Sequence, residues 1–169
     1  MRRALLVVLA FAIVPASLAL AQSSGLKVTG GGQVLASGQS TGPGDTIAFN
    51  AQQTSSTANS DGAFPAMGQL QVIDRTNSVK FHGTVTCIRQ LTSGQDNGFV
   101  RFGGFKKVNG QTDPSAPFTV DVQDNGQPNQ GQDMIVFRQR NSGDDPCDTS
   151  DQNTQLRSTT LARGNVKNH

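Results

Sequence analysis

The sequence predicts an all-β protein, a single antiparallel β-sandwich of about eight strands that follows an N-terminal signal peptide. Three observations carry that expectation. Apolar and polar residues alternate in short runs at spacings of about 10–15 residues, the pattern of half-buried strands. The chain holds no Glu, Trp or Tyr, while Gly, Gln, Ser, Thr and Asn are abundant. Lack of Glu removes a good helix former, and the Gly, Asn, Asp and Ser clusters supply turns. After residue 21 no stretch carries a convincing helical period.

The first element is the leader sequence. Met1-Arg2-Arg3 is a basic start, and Ala4 to Leu18 is an apolar run interrupted by Pro15 and Ser17. Ala19-Leu20-Ala21 then places small residues at the two positions a signal peptidase reads. The run is shorter than the roughly 20 residues a spanning helix needs, so residues 1–21 read as a secretory signal peptide and not as a membrane anchor. No Cys follows that site, which argues against lipid anchoring. Residues 22–25 form a short polar leader, and 26–169 form one domain. No membrane insertion is expected once the signal is removed.

Within the domain, Leu26 to Val34 reads as a strand broken by Gly30-Gly31-Gly32. Ser37 to Asp45 is a turn segment. Thr46 to Gln52 alternates with Ile47, Phe49 and Ala51 on one face. Gln53 to Ala63 lacks an apolar anchor and reads as a mobile loop. Gln69 to Asp74, the turn Arg75 to Ser78, and Val79 to Ile88 form a hairpin. In its second strand Val79, Phe81, Gly83, Val85 and Cys87 share one face, so Cys87 is expected to face the core. Phe99 to Val108 contains Gly103-Gly104, which signals a bulge or a close backbone contact. Phe99, Phe102 and Phe105 read as core. Phe118 to Gln123 alternates, Asp124 to Pro128 is a turn, and Asp133 to Arg140 is a further strand. Asn141 to Asn153 is an acidic loop carrying Cys147, and Leu156 to the end supplies one or two edge strands.

Composition bounds the function. Removal of 21 residues from 169 leaves 148, the size of one ordinary domain. Arg2 and Arg3 depart with the signal, so 14 basic residues become 12, facing 12 Asp. A formally neutral chain offers no electrostatic case for nucleic acid. Lys106-Lys107 reads as a solvated pair. The lack of Trp and Tyr weakens a sugar-stacking platform, for which only Phe remains. Cys87 and Cys147 are an even pair in a secreted chain, which favours a disulfide.

Several stretches together resemble a known family. Val28-Thr29-Gly30-Gly31-Gly32-Gln33 opens the domain, followed by Phe49-Asn50-Ala51-Gln52, Gly68-Gln69-Leu70-Gln71 and Phe81-His82-Gly83-Thr84-Val85-Thr86-Cys87. Phe118 to Pro128 then precedes Asp133 and Phe137, and Leu161-Ala162-Arg163-Gly164-Asn165-Val166 and His169 close the chain. In order and spacing this resembles the post-COAP family of small secreted bacterial β-domains. The resemblance implies an extracellular β-sandwich-like module and implies no particular mechanism. Members often carry Asp-His where this chain has Asp74-Arg75, so no histidine role carries over there. The segments 53–66 and 89–98 are longer than the family pattern.

The candidate chemistry is sparse. His82 is the only internal histidine, it falls on the polar face of its strand, and no Gly-x-Ser-x-Gly elbow accompanies it. Two dispersed histidines and a cysteine pair make a poor zinc set. Asp121, Asp124, Asn125 and Asp133 surround one turn and are the candidate binding residues. Asp144, Asp145, Asp148 and Asp151 crowd a second loop. Oxygen ligands on loops suit Ca²⁺, yet the spacing matches no EF-hand, and Asp and Asn also cap their own turns. No cofactor is required by any motif, and Ca²⁺ stands as a possible ligand. The expected function is a non-catalytic, secreted module that binds or helps build a cell-surface or envelope component. Residues 53–66 and 89–98 are its expected contact loops. The alternatives are a secreted hydrolase using Asp74 or Asp121 with His82, and a calcium-stabilised structural domain.

Overall fold

The computed structural model describes residues 25–34, 44–75, 78–92, 98–126, 133–148 and 156–169. The expected signal peptide lies outside these residues. Nine strands follow one another: β1 (Lys27–Val34), β2 (Asp45–Gln53), β3 (Phe64–Asp74), β4 (Val79–Gln90), β5 (Val100–Val108), β6 (Gln111–Gln123), β7 (Met134–Gln139), β8 (Leu156–Thr160) and β9 (Arg163–Asn168). All pair antiparallel in one sheet, in the order β8-β7-β6-β5-β4-β3-β2-β1-β9. Among the described residues there is no helix.

The connection between β8 and β9 governs the shape. These strands stand at opposite ends of the sheet order, yet only Leu161 and Ala162 separate them. The Leu161 N–H donates to the Asp133 carbonyl at 2.9 Å, and the Ala162 N–H donates to the Gln33 carbonyl at 2.9 Å. One end of the sheet is thereby carried round to the other, and the sheet is nearly closed. As expected, the C-terminal segment supplies the edge strands: β8 pairs with β7 alone and β9 with β1 alone, so the sheet order begins and ends on it.

The inside is filled by aromatic and branched side chains. Phe49 and Phe102 lie 5.1 Å apart between ring centroids, and Phe81 meets Phe118 and Phe137 edge-on at 5.5 and 5.2 Å. Each such side chain contributes roughly 1.5–3 kcal/mol by leaving water. Inward glycines make room for the rings: a Cβ on Gly83 would strike Phe118, and one on Gly30 would lie 2.8 Å from Phe49 Cζ. As expected, Phe102 is core, and Phe99 is buried as well, but Phe105, also expected in the core, is only half-buried and lies outside it.

Four further readings from the sequence change. The glycine triplet does not break β1, because those glycines let the β2 and β9 backbones approach it; a Cβ on Gly31 would lie 2.7 Å from the Ile47 carbonyl. β3 begins at Phe64, five residues early, since Pro65 and a register shift before Gly68 disguise its alternation. Segment 54–63 is tied by its own polar groups: Asn59 Oδ1 accepts from the N–H of Asp61 and Ala63, and Ala63 is buried. Finally, Cys87 does not share the face of Val85. A register shift between them adds one residue, so Ile88 enters the main core and Cys87 turns to the outer side.

Candidate functional site

Two regions of the outer surface carry polar chemistry. The first is covered. On the outside of β4–β7, residues 141–148 run as a strap across the sheet. Cys147 is joined to Cys87 beneath it by a disulfide. Four successive strap carbonyls each accept a hydrogen bond from a different side chain below. Arg140 Nη2 donates to Asp145 O at 3.3 Å, Thr119 Oγ1 to Pro146 O at 2.6 Å, Arg89 Nη1 to Cys147 O at 3.3 Å, and Arg101 Nη1 to Asp148 O at 2.6 Å. Gly103 lies under Pro146, where a Cβ would have no room. Covering explains why β5 and β6 are buried on both faces.

Asp121 sits at the centre of that covered surface. Arg101 binds it with both prongs, Nε to Oδ1 at 2.6 Å and Nη2 to Oδ2 at 2.9 Å, and Arg138 Nη1 also reaches Oδ2. Its side chain is 1% exposed. Both oxygens are therefore occupied by guanidinium groups, whose planar forks match a carboxylate.

The other candidate residues gather elsewhere, at the joint that closes the sheet. Asp133 Oδ1 accepts from Asn125 N–H at 2.9 Å and Oδ2 from Val166 N–H at 2.7 Å. Asp124 accepts from Gly126 N–H at 3.1 Å and from Asn168 N–H at 3.2 Å. Asn125 Nδ2 donates to Gln123 Oε1 at 3.3 Å. Asp124, Asn125 and Asp133 thus hold the β6–β7 turn to β9. In the strap, Asp144 Oδ2 accepts from Asn141 N–H and Asp145 Oδ1 from Cys147 N–H. Among the described residues, no three His, Cys, Asp or Glu side chains are grouped to hold a metal ion. Asp151 and much of the 89–98 loop lie outside those residues.

The second region is open. Register places outward side chains of β9, β1, β2, β3 and β4 in rows across the strands. One row runs Lys167, Thr29, Asn50, Gln69, Thr84; the next runs Asn165, Gly31, Ala48, Gln71, His82; a third runs Arg163, Gln33, Thr46, Ile73, Lys80. Small residues hollow this lattice. A depression of about 510 Å³ is lined by Lys27, Thr29, Asn50, Gln52, Met67 and Gln69. A second of about 440 Å³ lies over Ala48, between Asn50, Gln69, Gln71 and His82.

The sequence reading placed His82 on a polar face, where it is found. It did not find the strap clamp or the amide rows. Outward Arg89, Arg101, Thr119 and Arg138, set beside inward apolar residues on their own strands, were the available signal for the clamp. Comparison of the chain with family models, curated proteins and solved structures finds no match.

Proposed function

We propose that this protein is a secreted, non-catalytic binding module that attaches to a cell-surface or envelope component through the open face of β9-β1-β2-β3-β4. We also propose that its nearly closed sheet makes a barrel-like body, in place of two stacked sheets. The observation that carries the reading is the lattice of exposed amide and hydroxyl groups on adjacent strands, hollowed over Ala48 and Gly68. Such a lattice holds a ligand at many points and activates none of its bonds.

Of the two alternative catalytic pairs, Asp74 or Asp121 with His82, the arrangement of the second favours the same reading. Asp121 is bound by two arginines, whereas His82 stands on the open face. Asp121 is in register with Arg101, and Arg101 with Arg89, seven residues along β4 from His82. That places the carboxylate and imidazole roughly 20 Å apart at about 3.3 Å per residue, beyond the reach of a general acid or base.

Co-sedimentation of the oxidised protein with isolated cell envelopes tests the proposal. The protein is expected in the pellet, with loss of binding in Q69A/Q71A, whose side chains are exposed. A protein that stays in the supernatant would overturn the proposal, as would turnover of an envelope polymer.

A further inference from the structure

The open face has a charge that the whole chain does not. Past residue 21, basic and acidic residues are equal in number, but they are segregated. Apart from Arg89, which is held under the strap, strands β9, β1, β2, β3 and β4 carry Lys27, Lys80, Arg163 and Lys167, against Asp45 and Asp74 alone. Those two acids stand at the first residue of β2 and the last residue of β3, off the rows described above. Among the described residues, no ion pair joins a carboxylate to any of the four cations. The acids concentrate instead at the strap and the closing joint, where Asp121, Asp124, Asp133, Asp144 and Asp145 accept hydrogen bonds.

Resting on the binding-module reading, we infer that the open face takes a linear acidic glycan, a uronate-bearing polysaccharide laid across the strands. Three features define that ligand. Thr29, Asn50, Gln69 and Thr84 repeat at the strand spacing of about 4.8 Å. An extended pyranose chain repeats at a similar interval, so successive sugars meet successive amides or hydroxyls. No Trp or Tyr exists in the chain, and the only outward aromatic ring on the face is the His82 imidazole. Affinity therefore does not rest on a platform of Trp or Tyr rings stacked on apolar sugar faces, the usual means of holding neutral glycans. Lys167 ends the amide row and Lys27 lines the hollow beside it, with Arg163 and Lys80 at the ends of a row four residues away along the strands. Carboxylates spaced along a chain would meet these cations while the hydroxyls meet the amides. Ion pairs on an exposed face are individually weak, so binding depends on repetition along the polymer.

Calorimetric titration of the oxidised protein, recovered from a secreting host, decides the matter. The probes are a linear polyuronate, the same backbone with its carboxylates reduced to alcohols, and inorganic polyphosphate. The polyuronate is expected to bind, more weakly as salt is raised, and K27A/K167A is expected to weaken it by about tenfold or more, some 1.4 kcal/mol. K107A, on β5, should bind as the parent does. Equal binding of the reduced backbone would overturn the acidic ligand and leave the binding module standing. Equal binding of polyphosphate would show bare charge attraction and overturn the row recognition. If no glycan binds yet the protein still pellets with envelopes, the inference fails alone; if neither occurs, both readings fail.

Discussion

The most consequential single residue is Asp121. It is buried, and two guanidinium groups depend on it: Arg101 is 5% exposed and Arg138 is 11% exposed. Removing the carboxylate leaves two cations in a low-dielectric site with no counter-charge. D121A is therefore expected to cost about 3–5 kcal/mol in urea unfolding. A loss under about 1 kcal/mol would show that water reaches the arginines and that the clamp is not dry. Asp113 is the opposite case, a carboxylate at the surface. The Ser115 hydroxyl and then the Ser115 N–H donate to it and hold its carboxyl below the ordinary value; slight burial opposes this, and Lys106 assists. A folded-state value below the unfolded one stabilises the fold above the unfolded value, about pH 4 for Asp, and this stabilisation disappears as pH falls through the lower folded value. S115A is expected to return the Asp113 carboxyl toward its ordinary value in an NMR titration. An unchanged midpoint would rule out the hydroxyl as the main cause.

At the level of the element, the strap shows what a strand pattern does and does not reveal. β2 was legible because Ile47, Phe49 and Ala51 alternate with exposed residues from end to end. β4 was legible only as far as Val85. A bulge changes phase without changing composition, so Cys87 reads as core when it lies outside beneath the strap. β5 and β6 were hard to read for a related reason. Their outer faces are covered, so Arg101, Gly103, Thr119 and Asp121 are buried although an outward position implies exposure. The Gly103-Gly104 signal was correctly one of close contact, but its partner, Pro146, lies more than 40 residues away. No local pattern specifies such a pairing. The acidic loops were visible as turns; that Asp124 and Asp133 reach β9 was not. G103A tests the strap directly. A methyl group there displaces the Pro146 carbonyl and weakens the Thr119 bond, for a cost of about 1–3 kcal/mol by overpacking. Amide exchange should accelerate at Cys147 and Asp148. Unchanged exchange with full stability would mean that the strap tolerates lifting.

The whole molecule depends on a closure that joins its two ends, and this can be separated from the disulfide. The disulfide closes a loop of 60 residues between β4 and the strap, worth about 4 kcal/mol in the chain-entropy model. It touches neither β1 nor β9. The β1–β9 seam pairs Val28 with Asn168 and Gln33 with Arg163, residues about as far apart in sequence as the domain permits. Glycines hold the seam close: Gly30 and Gly32 face the carbonyls of Asn165 and Arg163, and Gly164 faces that of Gly31. Deleting residues 163–169 removes the β9 partner of β1 and one acceptance at Asp133. β1 then becomes an open edge whose three glycines offer no side chains to block another strand. Since the disulfide lies elsewhere, the truncated chain should still form it. Its unfolding midpoint should nevertheless fall, and it should associate edge to edge, visible as oligomers in size-exclusion chromatography. A truncated chain that stays monomeric with the parent midpoint would show that β1 to β8 form a sufficient sheet. The long-range seam would then contribute little, and slow folding from its loop-closure entropy would not be expected.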